Sequence, residues 1–204
     1  MKTGDSFYRF LIWNLALAWI PLLFAAFAYA VAGRGGRWTV AALAVGWILF
    51  FPNAPYMLTD FVHLGSTGTS APLWYDALMI ASFAWTALLL GLASLYLMQI
   101  VVERYIRPIW SWTLVGAVLL LSSFGVYLGR FVRFNSWDAL IRPGRVGNVI
   151  RHQLENPIQH PRLVGILVIL TAFLTVAYAI LYAFANVQLR PTERYASEIG
   201  RLNR

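Results

Sequence analysis

The residues best suited to chemistry follow an interruption in an otherwise apolar chain. A Pro-Asn-Ala-Pro stretch at 52–55 is followed closely by Asp60 and His63. These two residues are three apart, so they share one face if the backbone is helical there. A carboxylate and an imidazole on one face suit acid–base chemistry, in which Asp60 or His63 would accept a proton. The sequence therefore predicts a candidate site directly after the break.

The two prolines should also disturb the backbone. Each proline removes an N–H donor and pushes the residue before it away from helical angles. Inside a membrane, the freed carbonyls must find partners within the protein or in a wet cavity, so we expect a pocket at the break. The alternative is a helix that simply ends at the prolines and continues as a solvated loop.

A second candidate feature is the pair Arg130 and Arg133. Being three apart, they can present two guanidinium groups on one helical face, and each group can donate two parallel hydrogen bonds to a phosphate or carboxylate. The alternative is that both arginines reach out to lipid headgroups. The residues predicted to line the ligand site with them are Asn53, Tyr56, Tyr75, Tyr127, Asn135 and Asp138.

Asp76 is the third candidate, because it lies in the first turn of an apolar segment. An ionised group there costs about 2.5–3.5 kcal/mol unless it is paired or hydrated. Arg130 is the predicted partner, and an Asp76–Arg130 pair could be purely structural. Asp60, His63 and Asp76 could instead act as the catalytic residues of a metal-dependent hydrolase. Their spacing matches no metal-binding signature, so no metal ligand is assigned.

Composition identifies the elements that must position these residues. The chain has 204 residues, of which 60% are hydrophobic and only 12% are charged. Soluble domains are about one quarter charged, so this composition is typical of a multi-pass membrane protein. With no cysteine, disulfides, thiolate nucleophiles and Cys-ligated metals are excluded. The net charge of +8 fits anionic lipid headgroups better than nucleic acid.

Five apolar segments are long enough to cross a bilayer, which needs about 20 residues. We therefore predict an all-α bundle forming one membrane domain, with a broken second span and a short interfacial helix in the connection 130–162. The end of the first segment resembles a signal-peptidase site, but its apolar run is longer than that of a signal peptide and favours a retained span. The predicted spans are 7–32, 38–58, 73–102, 109–129 and 163–187.

Five spans place the two termini on opposite sides of the membrane. We call the side with the N-terminus, the 59–72 loop and the 130–162 connection face A, and the other side face B. Each face carries eight basic residues, so the positive-inside rule does not decide the orientation. If Arg130 and Arg133 belong to a buried site, the balance favours a cytoplasmic face B, with the candidate site extracytoplasmic.

Three motifs in the chain resemble domain-of-unknown-function family 1361, a family of small bacterial integral-membrane proteins. They are Pro-Asn-Ala-Pro-Tyr-Met-Leu-Thr-Asp-Phe-Val-His-Leu at 52–64, Trp-Tyr-Asp at 74–76, and the stretch from Gly-Val-Tyr-Leu-Gly-Arg at 125–130 to Asn-Ser-Trp-Asp at 135–138. The resemblance covers spans two to five. It implies a bacterial protein of the cytoplasmic membrane and implies no activity.

Three functional hypotheses follow. The leading one is binding of an anionic, lipid-linked ligand near the membrane surface, with Arg130 and Arg133 as clamps. The second is the metal-dependent membrane hydrolase. The third is a small transporter or membrane assembly factor in which Asp76 and Arg130 form a gate or a strut. Membrane lipids are the expected partners, and the sequence indicates no particular cofactor.

Overall fold

The computed structural model describes residues 5–34, 36–64, 71–132, 141, 144, 147–148, 151 and 161–189. The described residues are helical and contain no strand. The elements in chain order are α1 (Asp5–Val31), α2 (Arg37–Phe50), α3 (Asn53–Tyr56), a 3-10 helix (Met57–His63), α4 (Leu73–Glu103), α5 (Pro108–Tyr127), a π-helical turn (Leu128–Val132) and α6 (Pro161–Leu189).

Five of the helical segments are long and apolar enough to cross a membrane, which confirms the predicted all-α architecture with five spans. The second of them, Arg37–His63, consists of α2, α3 and the 3-10 helix in succession. Proline occupies the first position of α5, where its missing N–H would have had no partner anyway. The chain reverses between α1 and α2 at Gly33, whose φ of +90° suits glycine.

The interfacial helix predicted for 130–162 lies mostly outside the described residues. Between residues 133 and 160, the described residues are helical and exposed: Ile141, Gly144, Gly147, Asn148 and Arg151.

Helix α4 is the centre of the bundle. It packs along α1, contacts the end of the second span, and meets α5 and α6. A buried polar contact fixes it to α2, because Trp47 Nε1 donates to Ser94 Oγ at 3.1 Å and Ser94 in turn donates to the Gly91 carbonyl at 2.7 Å. Side chains of α4 such as Leu88 and Leu95 fill the main apolar core with residues from the other spans.

The proline break in the second span remains helical, which differs from the sequence prediction. Phe51, which precedes Pro52, keeps φ −54° and ψ −38°. The Ala54 N–H donates to the Phe51 carbonyl at 3.2 Å, and Asn53 Nδ2 donates to the Phe50 carbonyl at 3.0 Å. The Phe51 carbonyl, which Pro55 leaves without its usual α-helical donor, is therefore satisfied within the segment itself, and so is the Phe50 carbonyl.

Two glycines on neighbouring helices allow the kinked segment to approach closely. A Cβ atom added to Gly91 of α4 would lie 2.8 Å from the Ala54 Cβ, and one added to Gly125 of α5 would lie 2.8 Å from the Pro52 Cγ. Real Cβ atoms essentially never come so close to another atom. The kink is thus enclosed between α4 and α5, and the 3-10 helix that follows it is held near the end of α5.

Candidate functional site

The candidate site lies between two irregular helical segments at the same end of the bundle. Met57–His63 forms the 3-10 helix that ends the second span, and Leu128–Val132 forms the π-helical turn that ends the fourth. The Thr59 hydroxyl donates to the Tyr56 carbonyl at 2.6 Å, a local bond that competes with regular α-helical pairing. Mid-chain 3-10 stretches and π turns frequently mark functional positions.

Arg130 connects these two segments. Its Nε donates to Thr59 Oγ1 at 2.8 Å, its Nη1 contacts His63 Nε2 at 2.9 Å, and its Nη2 forms an ion pair with Asp60 Oδ1. The guanidinium carbon also lies 4.6 Å from the centre of the Tyr56 ring, a cation–π distance. We call Tyr56, Thr59, Asp60, His63 and Arg130 the face-A cluster. All partners of Arg130 in this cluster come from one short stretch of the second span.

The charged members of the cluster are withdrawn from solvent. The Asp60 side chain is 0% exposed and the Arg130 side chain 11%. Arginine has only donors, so in this contact the His63 Nε2 is the acceptor. Phe10 of α1 covers the other side of His63, with its ring edge-on at 6.0 Å. The cluster therefore combines a buried ion pair with a histidine whose Nε2 contacts the same guanidinium.

The second carboxylate oxygen of Asp60 is a point of incomplete satisfaction. Asp60 Oδ2 and Asn14 Nδ2 are both buried, and neither has a hydrogen-bond partner in the described part of the chain. The Asn14 amide of α1 lies within interaction range of this carboxylate but does not reach hydrogen-bond geometry. A bridging water, or a small shift of α1, would satisfy both atoms.

Asp76 does not form the predicted ion pair with Arg130. The Tyr8 hydroxyl donates to Asp76 Oδ1 at 3.2 Å, and Asp76 is 2% exposed. The first turn of α4 lies against the start of α1, and the end of the second span comes to Arg130 instead. The prediction that Arg130 belongs to a buried ion pair was therefore right about the arginine and wrong about its partner.

The other predicted ligand residues are distributed as follows. Asn53 uses its amide to cap the Phe50 carbonyl. Tyr75 is 42% exposed and contacts the neighbouring Trp74 ring. Tyr127 is buried and stacks on Phe131 at 5.3 Å.

Arg133, Asn135 and Asp138 lie outside the described residues. Of the predicted site residues, the structure brings together Tyr56, Asp60, His63 and Arg130.

The residues proposed for a metal-dependent hydrolase are not gathered into a ligand set. Among the residues that the structure describes, no three His, Asp or Glu side chains lie close enough together to hold a metal ion. Asp60 is committed to Arg130, and Asp76 contacts Tyr8. The geometry thus gives no support to catalysis by Asp60, His63 and Asp76 acting as a metal site.

Sequence reasoning missed two members of the site. Thr59 positions Arg130 through its hydroxyl, and the only available signal was its place beside Asp60. Asn14 was visible as an amide inside the apolar first span, and its proximity to Asp60 could not be inferred from its position.

A second buried polar network, near the face-B ends of α4, α5 and α6, was also missed. Gln99 Nε2 donates to Glu103 Oε1 at 3.0 Å and to Ser111 Oγ at 3.2 Å, and Ser111 Oγ donates to Glu103 Oε1 at 2.7 Å. The Tyr178 hydroxyl donates to Gln99 Oε1. The spacing of Gln99 and Glu103, one helical turn apart, was the only signal in the sequence. Because its members satisfy one another, this network ties three spans together.

Comparison with known proteins gives a family and no close relative. A family model described as "Protein of unknown function (DUF1361)" matches residues 13–178, which is most of the chain. The matched range contains the whole face-A cluster. No curated protein and no solved structure matches the chain.

Proposed function

The chain belongs to the DUF1361 family, and we propose that it is a membrane protein that binds an anionic, lipid-linked ligand through the face-A cluster. The observation that carries the proposal is the hydrogen bonding of the Arg130 guanidinium. Its contacts with Thr59, Asp60 and His63 use three of the five N–H groups of the guanidinium. One N–H on each terminal nitrogen has no partner in the described part of the chain, so a phosphate or carboxylate can still be bound.

The side chain of Arg130 is already fixed in one position before a ligand binds, and this favours binding. A free arginine side chain carries about 2 kcal/mol of rotamer entropy, which a ligand would otherwise have to overcome. Here the hydroxyl of Thr59, the carboxylate of Asp60 and the ring of Tyr56 already fix the guanidinium. The supporting contacts also explain why an arginine is needed, since a lysine ammonium could not meet three differently placed partners and a ligand in one plane.

The position of the cluster favours a ligand whose charged group lies at the membrane surface. Arg130 and His63 are at the ends of the fourth and second spans, where lipid headgroups would be found. Arg133, three residues further along the sequence, would add a second guanidinium. The geometry supports binding more than chemistry, because Asp60 Oδ1 and His63 Nε2 both contact Arg130.

The ion pair also supports one orientation of the chain. If Arg130, which pairs with the buried Asp60, is left out of the count, the sequence has seven basic residues on face A and eight on face B. The positive-inside rule then favours a cytoplasmic face B and an extracytoplasmic face-A cluster, in the cytoplasmic membrane of a bacterium. Single cysteines at positions 66 and 148 should be labelled from outside, and one at position 34 only from inside. Labelling of positions 66 and 148 from opposite sides would contradict the five-span topology.

Native mass spectrometry of the purified protein tests the binding proposal. Wild type should retain an acidic or phosphate-bearing lipid through detergent exchange, with only modest salt dependence because the site is shielded. Arg130→Lys and Arg133→Lys keep the charge but lose the planar donor group, so retention should fall. Arg34→Lys on face B is the matched control and should retain lipid like wild type. Equal retention in all variants, or none in wild type, would exclude the proposed function.

A second candidate function rests on the depth of the ion pair. The Asp60 side chain has no solvent exposure, and its pairing with Arg130 connects the second span to the fourth. The pair could then be a gate or strut of a small transporter or a membrane assembly factor, with Asp60 in the place predicted for Asp76. In that case Arg133→Lys has no effect, and Arg130→Lys lowers thermal stability without changing lipid retention by the folded fraction.

A further inference from the structure

The fully buried carboxylate of Asp60 has one oxygen that the proposed function does not use. Asp60 Oδ1 forms the ion pair with Arg130, whereas Oδ2 is buried and has no hydrogen-bond partner in the described part of the chain. The nearby Asn14 Nδ2 of α1 is in the same condition. Buried polar atoms are normally hydrogen-bonded, so this oxygen is a place where the cluster can take up something small.

The charge balance of the cluster shows what this would be. The positive charge of Arg130 is balanced by the negative charge of Asp60. An anion bound at the remaining N–H groups of Arg130 would place two negative charges beside one guanidinium, next to a carboxylate with no solvent exposure. If the anion displaced Asp60 instead, a buried carboxylate would be left without its cation, which is also unfavourable. In both cases the cluster, counted on its described residues, has one negative charge too many.

We propose that the face-A cluster binds its anion together with one proton, and that Asp60 Oδ2 is the atom that takes up the proton. This inference rests on the proposed function and adds a second ligand to it. A proton requires no space, so it can bind at an oxygen that is closed to solvent. Protonation at Oδ2 leaves the contact between Oδ1 and Arg130 in place and removes the extra negative charge.

Asn14 can be a partner of Asp60 in both protonation states. An asparagine amide carries a donor and an acceptor on one carbon, and a half-turn about its last side-chain bond exchanges them. After a small shift of α1, Asn14 Nδ2 would donate to an ionised Asp60. After the half-turn, Asn14 Oδ1 would accept from a protonated Oδ2. The cluster therefore contains a partner for the ionised and for the neutral form of the acid.

The other ionisable groups near Asp60 are less suited to take up this proton. Those with described side chains, on its own segment and on the elements packed around it, are Tyr8, Arg9, Tyr56, His63, Tyr75, Asp76, Tyr127 and Arg130. Phenols stay neutral and arginines stay charged between about pH 5 and 8. Asp76 accepts a hydrogen bond from Tyr8. His63 is the alternative, but its Nε2 accepts from Arg130, so a proton on that atom would break the contact.

Isothermal titration calorimetry tests the inference on the wild-type protein. The probe is a short-chain phosphatidylglycerol, whose phosphodiester keeps one negative charge throughout the pH range used. It is titrated into the detergent-solubilised protein at about pH 5.5, 6.5 and 7.5, in two amine buffers that differ in ionisation enthalpy. The difference in heat between the buffers gives the proton uptake, which should reach about one proton per bound lipid. By the same linkage, the affinity should rise as the pH falls, by at most about tenfold per pH unit.

Two matched variants identify the residue that takes up the proton. Asp60→Asn is neutral at every pH, so it should bind the lipid without proton uptake and with an affinity that does not change with pH. Asp76→Asn removes a second buried acid, the one that contacts Tyr8, and should take up protons like wild type. Proton uptake that disappears in His63→Gln and persists in Asp60→Asn would assign the proton to the histidine and overturn the inference.

The outcomes separate this inference from the proposed function. If the lipid binds to wild type with the same heat in both buffers at every pH, anion binding stands and proton uptake is excluded. If the lipid does not bind to wild type at all, the proposed function and this inference both fail. Should Asp60→Asn not fold, the wild-type heats alone decide between these results.

Discussion

Replacing Arg130 with alanine removes the positive charge that faces a carboxylate with no solvent exposure. The substitution also takes a donor away from Thr59 and another from His63. An exposed ion pair contributes only about 0–1 kcal/mol. The side chain of Asp60 is 0% exposed and that of Arg130 is 11% exposed. We therefore expect Arg130→Ala to lower the free energy of unfolding by about 3–5 kcal/mol, the usual cost of removing one partner of a buried pair.

The loss of stability arises mainly from the unpaired charge left on Asp60. The most specific test is therefore to remove that charge as well. Asp60→Asn in the Arg130→Ala background removes that charge and should restore a substantial part of the lost stability. Asp76→Asn in the same background should restore nothing, because Asp76 contacts Tyr8 and makes no ion pair with Arg130. The two rescue variants differ from each other only in which acid is neutralised.

Thermal unfolding in detergent measures these effects. At about 2–4 °C per kcal/mol for a chain of this length, Arg130→Ala should lower Tm by about 6–20 °C. The single variants Asp60→Asn and Asp76→Asn are measured alongside the double variants to complete both cycles. Rescue by Asp76→Asn instead of Asp60→Asn would refute the assignment of the pair. An Arg130→Ala protein that melts like wild type would show that no buried pair exists.

Two further predictions concern the kink. Gly91→Ala should destabilise the fold by about 1–3 kcal/mol, because the new methyl group meets Ala54. Gly116→Ala, whose methyl group would have nothing within 4 Å, should be neutral or stabilising. A loss of stability at Gly116 as large as that at Gly91 would contradict the packing argument. Asn53→Ala should lower the free energy of unfolding by about 1–3 kcal/mol, because it leaves the Phe50 carbonyl without its side-chain donor. If Asn53→Gln melts at the same temperature as Asn53→Ala, the position of the amide matters as well as its chemistry.

The five spans could be predicted from the sequence because long apolar runs have few stable alternatives to a membrane helix. The beginning of α5 could also be predicted, since the fourth predicted span starts directly after Pro108. Pro52 and Pro55 indicated that the second span is interrupted, but the hydrogen bonds that satisfy its backbone there could not be predicted. The amide of Asn53 satisfies the Phe50 carbonyl, a contact that could not be predicted from the sequence.

The choice of partner for Arg130 could not be made from the sequence. Asp60 and Asp76 are both acids near the same end of the bundle, and charge alone does not distinguish them. The outcome depends on local geometry: in a 3-10 helix, residues three apart are aligned, so Asp60 and His63 point together at the guanidinium. The π turn that carries Arg130 also departs from α-helical geometry, and neither irregularity has a reliable sequence signal.

The separation of Asp60 and Arg130 along the chain has a consequence for biosynthesis. The two residues are 70 positions apart, so at about 5–20 residues per second the acid is made about 4–14 s before its partner. The second span has a mean hydropathy of 1.4, the lowest of the five. During this interval Arg130 is not yet available to neutralise Asp60, and the end of the span should stay at the water interface. Insertion of the second span would then be completed only after the fourth has been synthesised, and truncation before Arg130 should leave Asp60 accessible to water.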